Sequence, residues 1–135
     1  MLTVSIVSPT SQKKYENVKS FVISTQDGEI EILPNHSHII SALSIGQLSI
    51  KQLNVDKPEV IAINEGIMKV AENEAQIMTN NLALADDIID KEIEEALEKA
   101  KLKLASNLLP SELIQIEKEI KYEMLKRKIR DSLGN

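Results

Sequence analysis

The 135 residues contain no cysteine. A disulfide scaffold, a thiol nucleophile and a thiolate metal site are therefore excluded, and the composition suits a reducing compartment. Tryptophan is also absent, and aromatics make up only 2% of the chain, as Phe21, Tyr15 and Tyr122. That leaves no stacking platform for bases or sugars, so the core must come from Ile, Leu and Val. The four glycines, Gly28, Gly46, Gly66 and Gly134, stand far apart. They form no phosphate-cradling loop, and each is expected at a turn or helix stop that needs positive φ. Basic charge is not in excess: the net charge is −5, which argues against nucleic acid as a partner. No apolar run approaches the ~20 residues of a membrane-spanning helix. Met1 to Ser5 lack the basic and apolar regions of a signal peptide. The chain is expected to be soluble, with no direct bilayer insertion.

Apolar residues are arranged in two different periods. Leu2, Val4 and Ile6 alternate with Thr3 and Ser5, the mark of a strand with one buried face. Short apolar runs follow at 18–23, 30–33, 48–53, 60–63, 67–71 and 75–78. Between them stand Asp27-Gly28, Pro34-Asn35, Ile45-Gly46, the 54–58 stretch, Glu65-Gly66 and Asn80-Asn81, all read as turns. Many short strands at this spacing predict an antiparallel β-sandwich or barrel over residues 1–85.

Beyond Asn81 the period becomes helical. Asp87 or Asp90 is expected to cap a first helix. Ile89, Ile93, Ala96, Ala100 and Leu104 would then form its apolar stripe. Ser106-Asn107 interrupts, and Pro110 suits the first turn of a second helix, with Leu113, Ile116, Ile120 and Met124 as its stripe and an end before Gly134. A short connection predicts an antiparallel hairpin over residues 86–135. Between Asp86 and Lys103, seven acids face four bases. Between Lys118 and Arg130, six bases (Lys118, Lys121, Lys126, Arg127, Lys128, Arg130) face two acids. Two readings of the second cluster stay open, complementarity to the helix dipole and an acidic partner.

No catalytic constellation is legible. His36 and His38 are the only histidines. On a strand they would share a face, but zinc needs three or four ligands, so a hydrogen-bonded turn histidine is the better reading and no metal is expected. Glu29 and Glu31 have same-face strand spacing, which by itself describes solvated carboxylates rather than a general acid and base. Neither enzymatic activity nor a cofactor is expected.

The segment Gly28-Glu29-Ile30-Glu31-Ile32-Leu33-Pro34-Asn35-His36-Ser37-His38, followed by Ala42 to Leu48, resembles the signature of the epsilon subunit of bacterial and chloroplast F-type ATP synthases. There, Gly-Glu-x-Gly-Ile-Leu-Pro-x-His-x-Pro precedes a Pro-Gly or Ile-Gly turn. Val7-Ser8-Pro9, Glu65-Gly66-Ile67-Met68-Lys69-Val70 and Asp87-Ile88-Ile89-Asp90 match further family segments in the same order. Glu31, His38 and Glu65 replace a family glycine, proline and glycine. ATP-binding members carry Asp-x-x-Arg-Ala where this chain reads Asp90-Lys91-Glu92-Ile93-Glu94, so only Asp90 remains and nucleotide binding is not expected.

The resemblance implies a non-catalytic rotor subunit of the central stalk that couples proton-driven ring rotation to the gamma shaft. Glu29 and His36 would contact the membrane ring of c subunits and the stalk. The hairpin would restrain ATP hydrolysis by presenting its six bases to the catalytic beta subunits. The implied location is peripheral, on the cytoplasmic face of a bacterial plasma membrane or the stromal face of a thylakoid. Two other readings remain: a nucleotide-binding regulatory sensor and a free-standing interaction adaptor.

Overall fold

The computed structural model describes residues 1–133. Eight strands come first: β1 Leu2–Val7, β2 Gln12–Thr25, β3 Gly28–Ile32, β4 Ile39–Gln52, β5 Glu59–Ile63, β6 Gly66–Ala71, β7 Glu74–Thr79 and β8 Leu82–Leu84. A single 3-10 turn at Ala85–Asp87 leads into helices α1, Asp90–Leu104, and α2, Pro110–Leu133.

The strands run in the order β3-β2-β1-β7-β6-β4-β5-β8, and β2 also pairs with β4, which closes the sheet on itself. β2 and β4 make this possible. Each is 14 residues long, and each pairs with different neighbours along its two halves. Period-two burial is clearest in β1, where Leu2, Val4 and Ile6 are fully buried. With Phe21, Ile32, Leu48, Ile50, Ile61, Ile63, Met68 and Ile77 they fill a sandwich core to which no helical residue contributes.

Most pairings are antiparallel as expected, but β1 runs parallel to β7. One of the expected turns is a strand segment. Ile45-Gly46 lies within β4: Gly46 is needed because a Cβ there would overlap the Ser24 side chain. At Gly66 a Cβ would meet the Met78 carbonyl. Among the described glycines only Gly28 takes a positive φ, 117°, so close backbone approach explains Gly46 and Gly66 instead. Gly134 lies outside the described residues. The hairpin turn at Glu72-Asn73, with φ of 50° and 64°, was missed because neither residue is the glycine that usually marks such a turn.

Helix boundaries fall close to expectation, with one correction. Neither Asp87 nor Asp90 caps α1; the cap position is Ile89, which has no side-chain cap bond. Asp90 and Glu92 lie inside the first turn, where a carboxylate still interacts favourably with the helix dipole. Pro110 begins α2 as expected, and Glu112 accepts the Leu109 N–H at 3.3 Å, one half of a capping box.

The apolar stripes are only partly as expected. Ile93 and Ala100 are buried, but Ile89 and Leu104 are exposed; in α2 Ile116 is buried while Leu113 and Met124 are exposed. Tyr122, Leu125 and Ile129 instead face the sandwich, in a second core with Ile45, Ala62, Ala85, Ile88, Ile93 and Leu97. α2 must cover both α1 and the sheet, so its burial is divided between two stripes.

Candidate interaction surfaces and the docked hairpin

β3 separates the two residues expected to touch the ring and stalk. Glu29 is exposed and pairs with Ser24 near the start of the strand, so it is a strand residue rather than part of a turn. His36 lies beyond the strand's other end, in the 33–38 loop. Leu33-Pro34-Asn35-His36 forms a turn closed by the His36 N–H on the Leu33 carbonyl at 3.2 Å. Proline and a positive-φ Asn35 (66°) occupy the central positions, the pattern of a type II turn. The His36 ring donates from Nδ1 to the Ser37 carbonyl at 2.7 Å. His38 is in the same loop and not on a strand, so the two histidines do not share a strand face. Among the described residues no three His, Asp or Glu side chains group as a metal site.

That loop is clipped to the β6–β7 turn. The Asn35 N–H donates to Asn73 Oδ1 at 2.6 Å, and Asn73 Nδ2 donates to Asn35 Oδ1 at 3.2 Å. The Asn73 carbonyl accepts the Thr3 N–H at 3.0 Å. One asparagine thus joins β1, the β3–β4 loop and the β6–β7 turn.

The hairpin lies against the outer side of β4 and β5. One ion pair fixes it to the sandwich: Lys118 Nζ is 3.1 Å from Glu65 Oε1. Glu65 is itself held by its backbone, since its carbonyl accepts from Asn80 N and Thr79 Oγ1, each at 3.1 Å, and its N–H donates to Asn64 Oδ1 at 2.8 Å. Lys126 is 2.8 Å from Glu123 and sits 5.1 Å above the Tyr122 ring, a cation–π distance. Lys103 and Glu119 join the two helices at 3.7 Å.

The six bases of α2 therefore do not form one face. Lys118 and Lys126 are engaged within the chain, Arg127 is half-buried, and Lys121, Lys128 and Arg130 are exposed with no ion pair among the described residues. Tyr122 is 4% exposed and its hydroxyl has no partner there. Burial, and then the neighbouring Glu123 charge, push its pKa well above the usual range.

A cleft of about 360 Å³ opens between hairpin and sandwich, with Asp87, Glu92, Tyr122 and Lys126 among its walls. Asp90 is not one of them; it lines a separate hollow with Arg130 and Asp131. Ile93, which stands where ATP-binding relatives are expected to carry arginine, is 1% exposed in the second core. That position is used for packing.

The fold defines a two-part interaction module, a closed sandwich with a helical hairpin laid on one side. Residues 1–85 match the family model described as ATP synthase, Delta/Epsilon chain, beta-sandwich domain. The ATP synthase epsilon chain of Lactiplantibacillus plantarum is 36% identical over 104 residues, covering 76% of this chain and 73% of the relative. The chloroplastic epsilon chain of Marchantia polymorpha is 33% identical over 104 residues, covering 77% and 76%. The chain belongs to the ATP synthase epsilon family and is a non-catalytic subunit of that complex.

The same fold occurs in two solved assemblies. A chain of the Euglena gracilis mitochondrial ATP synthase (OSCP/F1/c-ring) aligns with a TM-score of 0.71 at 22% identity, covering 98% of this chain and 81% of the other. A chain of the Tetrahymena thermophila central stalk/c-ring gives 0.69 at 13%, covering 96% of each. Among the described residues no helix is long and apolar enough to cross a membrane.

Sequence reasoning overlooked the Asn35–Asn73 clip and the Tyr122 packing. Glu65 did carry a signal, as a charged residue where the family motif has glycine, but its partner was not legible.

Proposed function

We propose that this subunit works in the central stalk as a rotor part, its sandwich bridging the gamma shaft and the c-ring and its hairpin acting as a movable restraint on ATP hydrolysis. The observation that carries this reading is the division into two cores. The sandwich core contains no hairpin residue, while the hairpin is held by a smaller second core and, among the described residues, a single ion pair. Residues 86–135 are thus a unit that can leave without opening residues 1–85, and two states a few kcal/mol apart are enough for a switch. Glu29 and His36, at opposite ends of β3, are assigned to the contact with the ring and the stalk. The released hairpin would carry its bases to acidic segments of the beta subunits. The complex would place the subunit on the cytoplasmic face of a bacterial membrane or the stromal face of a thylakoid.

Deleting residues 86–135 in the assembled synthase tests this. Assembly and ATP-driven proton pumping are expected to persist while ATP hydrolysis rises severalfold. Unchanged hydrolysis at low and high salt would make the hairpin a structural appendage only.

A further inference from the structure

We infer that Asn73 is a positioning residue for the stalk contact: it holds the Leu33–His38 loop in the shape that presents His36. This rests on the assignment of His36 to the stalk made above.

The clip spans 38 positions of sequence and is reciprocal. Asn73 Oδ1 accepts the Asn35 N–H at 2.6 Å, and Asn73 Nδ2 returns a bond of 3.2 Å to Asn35 Oδ1. The Asn35 N–H belongs to the central position of the loop's turn and cannot bond within it, because that turn is closed by His36 N on Leu33 O. The partner turn is built at a cost. Glu72 is held at φ 50° and Asn73 at 64°, and a glutamate in the left-handed region is uncommon. Such strain persists only where the surroundings impose it. Here it aims the Asn73 amide at the loop, while the Asn73 carbonyl is anchored by Thr3 N at 3.0 Å. The loop otherwise has little to hold it: Leu33 is 51% exposed and Ser37 and His38 are exposed. Without the clip the loop samples more shapes, and its partner must select among them.

Glycine separates positioning from simple turn stability, because Asn73→Gly keeps positive φ without strain and removes only the side chain. Full-length variants are bound to purified gamma subunit, with association and dissociation rates and the melting temperature measured for each. Asn73→Gly is expected to weaken binding about three- to tenfold, the loss of one or two hydrogen bonds, with the melting temperature unchanged or raised. It should also speed hydrogen exchange at the Asn35 amide. Asn73→Asp keeps the acceptor for the Asn35 N–H and should restore most of the affinity.

His36→Ala is the control for the underlying assignment. If it weakens binding and Asn73→Gly does not, the positioning role is overturned and the stalk assignment stands. If Asn73→Gly weakens binding and His36→Ala does not, the presentation of His36 is overturned and the contact belongs to the rest of the loop. If neither matters, both ideas fail.

Discussion

At the scale of single residues, two side chains adjust how firmly the hairpin sits. Lys118–Glu65 is partly exposed, with side-chain exposures of 45% and 31%, so by itself it contributes about 0.2–1 kcal/mol. The Glu65 main chain is fixed by hydrogen bonds to Asn80, Thr79 and Asn64, so only the side chain has to be ordered. Glu65→Gln is expected to quicken hydrogen exchange in the first half of α2 severalfold at most, and the charge swap Glu65→Lys with Lys118→Glu should recover part of the protection. Failure of the swap to recover any would show the pair to be incidental. Tyr122 points the other way. Its buried hydroxyl has no partner among the described residues, and an unpaired buried group costs ~1–3 kcal/mol. Tyr122→Phe keeps the ring under Lys126 and should stabilise the docked hairpin by about 1 kcal/mol, seen as slower exchange in α2. Destabilisation would mean that an ordered water satisfies the hydroxyl. Neither role could be read from the chain, because Glu65 and Lys118 lie 53 positions apart and Tyr122 is off the stripe that period alone suggests.

At the scale of elements, the sequence shows periods well and partners poorly. Strand period two and the run of turn residues were enough for the sandwich, and Pro110 located the start of α2. What failed were inferences that depend on a third element. Gly46 looked like a turn because Ser24, which crowds it, is 22 positions away. The α2 stripe is only partly as expected because one helix has two packing partners. The parallel β1–β7 pair arises because the first strand lies between β2 and β7 in the sheet, which no local pattern reveals. Packing also predicts which element yields first. Ile93→Asp places a charge in the second core and is expected to cost several kcal/mol of hairpin docking, whereas half-buried Ile120 tolerates aspartate better. In both variants far-UV circular dichroism should lose helix and keep strand. Loss of strand signal along with helix would join the two halves into one cooperative unit.

At the scale of the whole molecule, charge has opposite effects in the two hairpin positions, so salt alone gives an ambiguous answer. Docking uses Lys118 against Glu65, whereas Lys126 meets Glu123 and the Tyr122 ring on its own helix. Replacing Lys118 would therefore loosen the docked state as well as weaken any acidic contact outside the chain. Lys121, Lys128 and Arg130 are exposed and make no ion pair among the described residues. Replacing these three together by alanine should leave docking nearly unchanged and remove charge only from the released position. At ~0.2–1 kcal/mol each, their combined loss amounts to about 0.6–3 kcal/mol, a roughly threefold or greater change in the balance. In the assembled synthase this triple variant is expected to hydrolyse ATP faster at low salt. The difference from the unaltered complex should fade near 1 M salt, where the Debye length is ~3 Å. If the bases serve only the helix dipole, the variant lowers the thermal stability of the isolated hairpin contact and leaves hydrolysis alone at every salt concentration. That result would remove the acidic partner and leave restraint, if any, to the apolar faces of the hairpin.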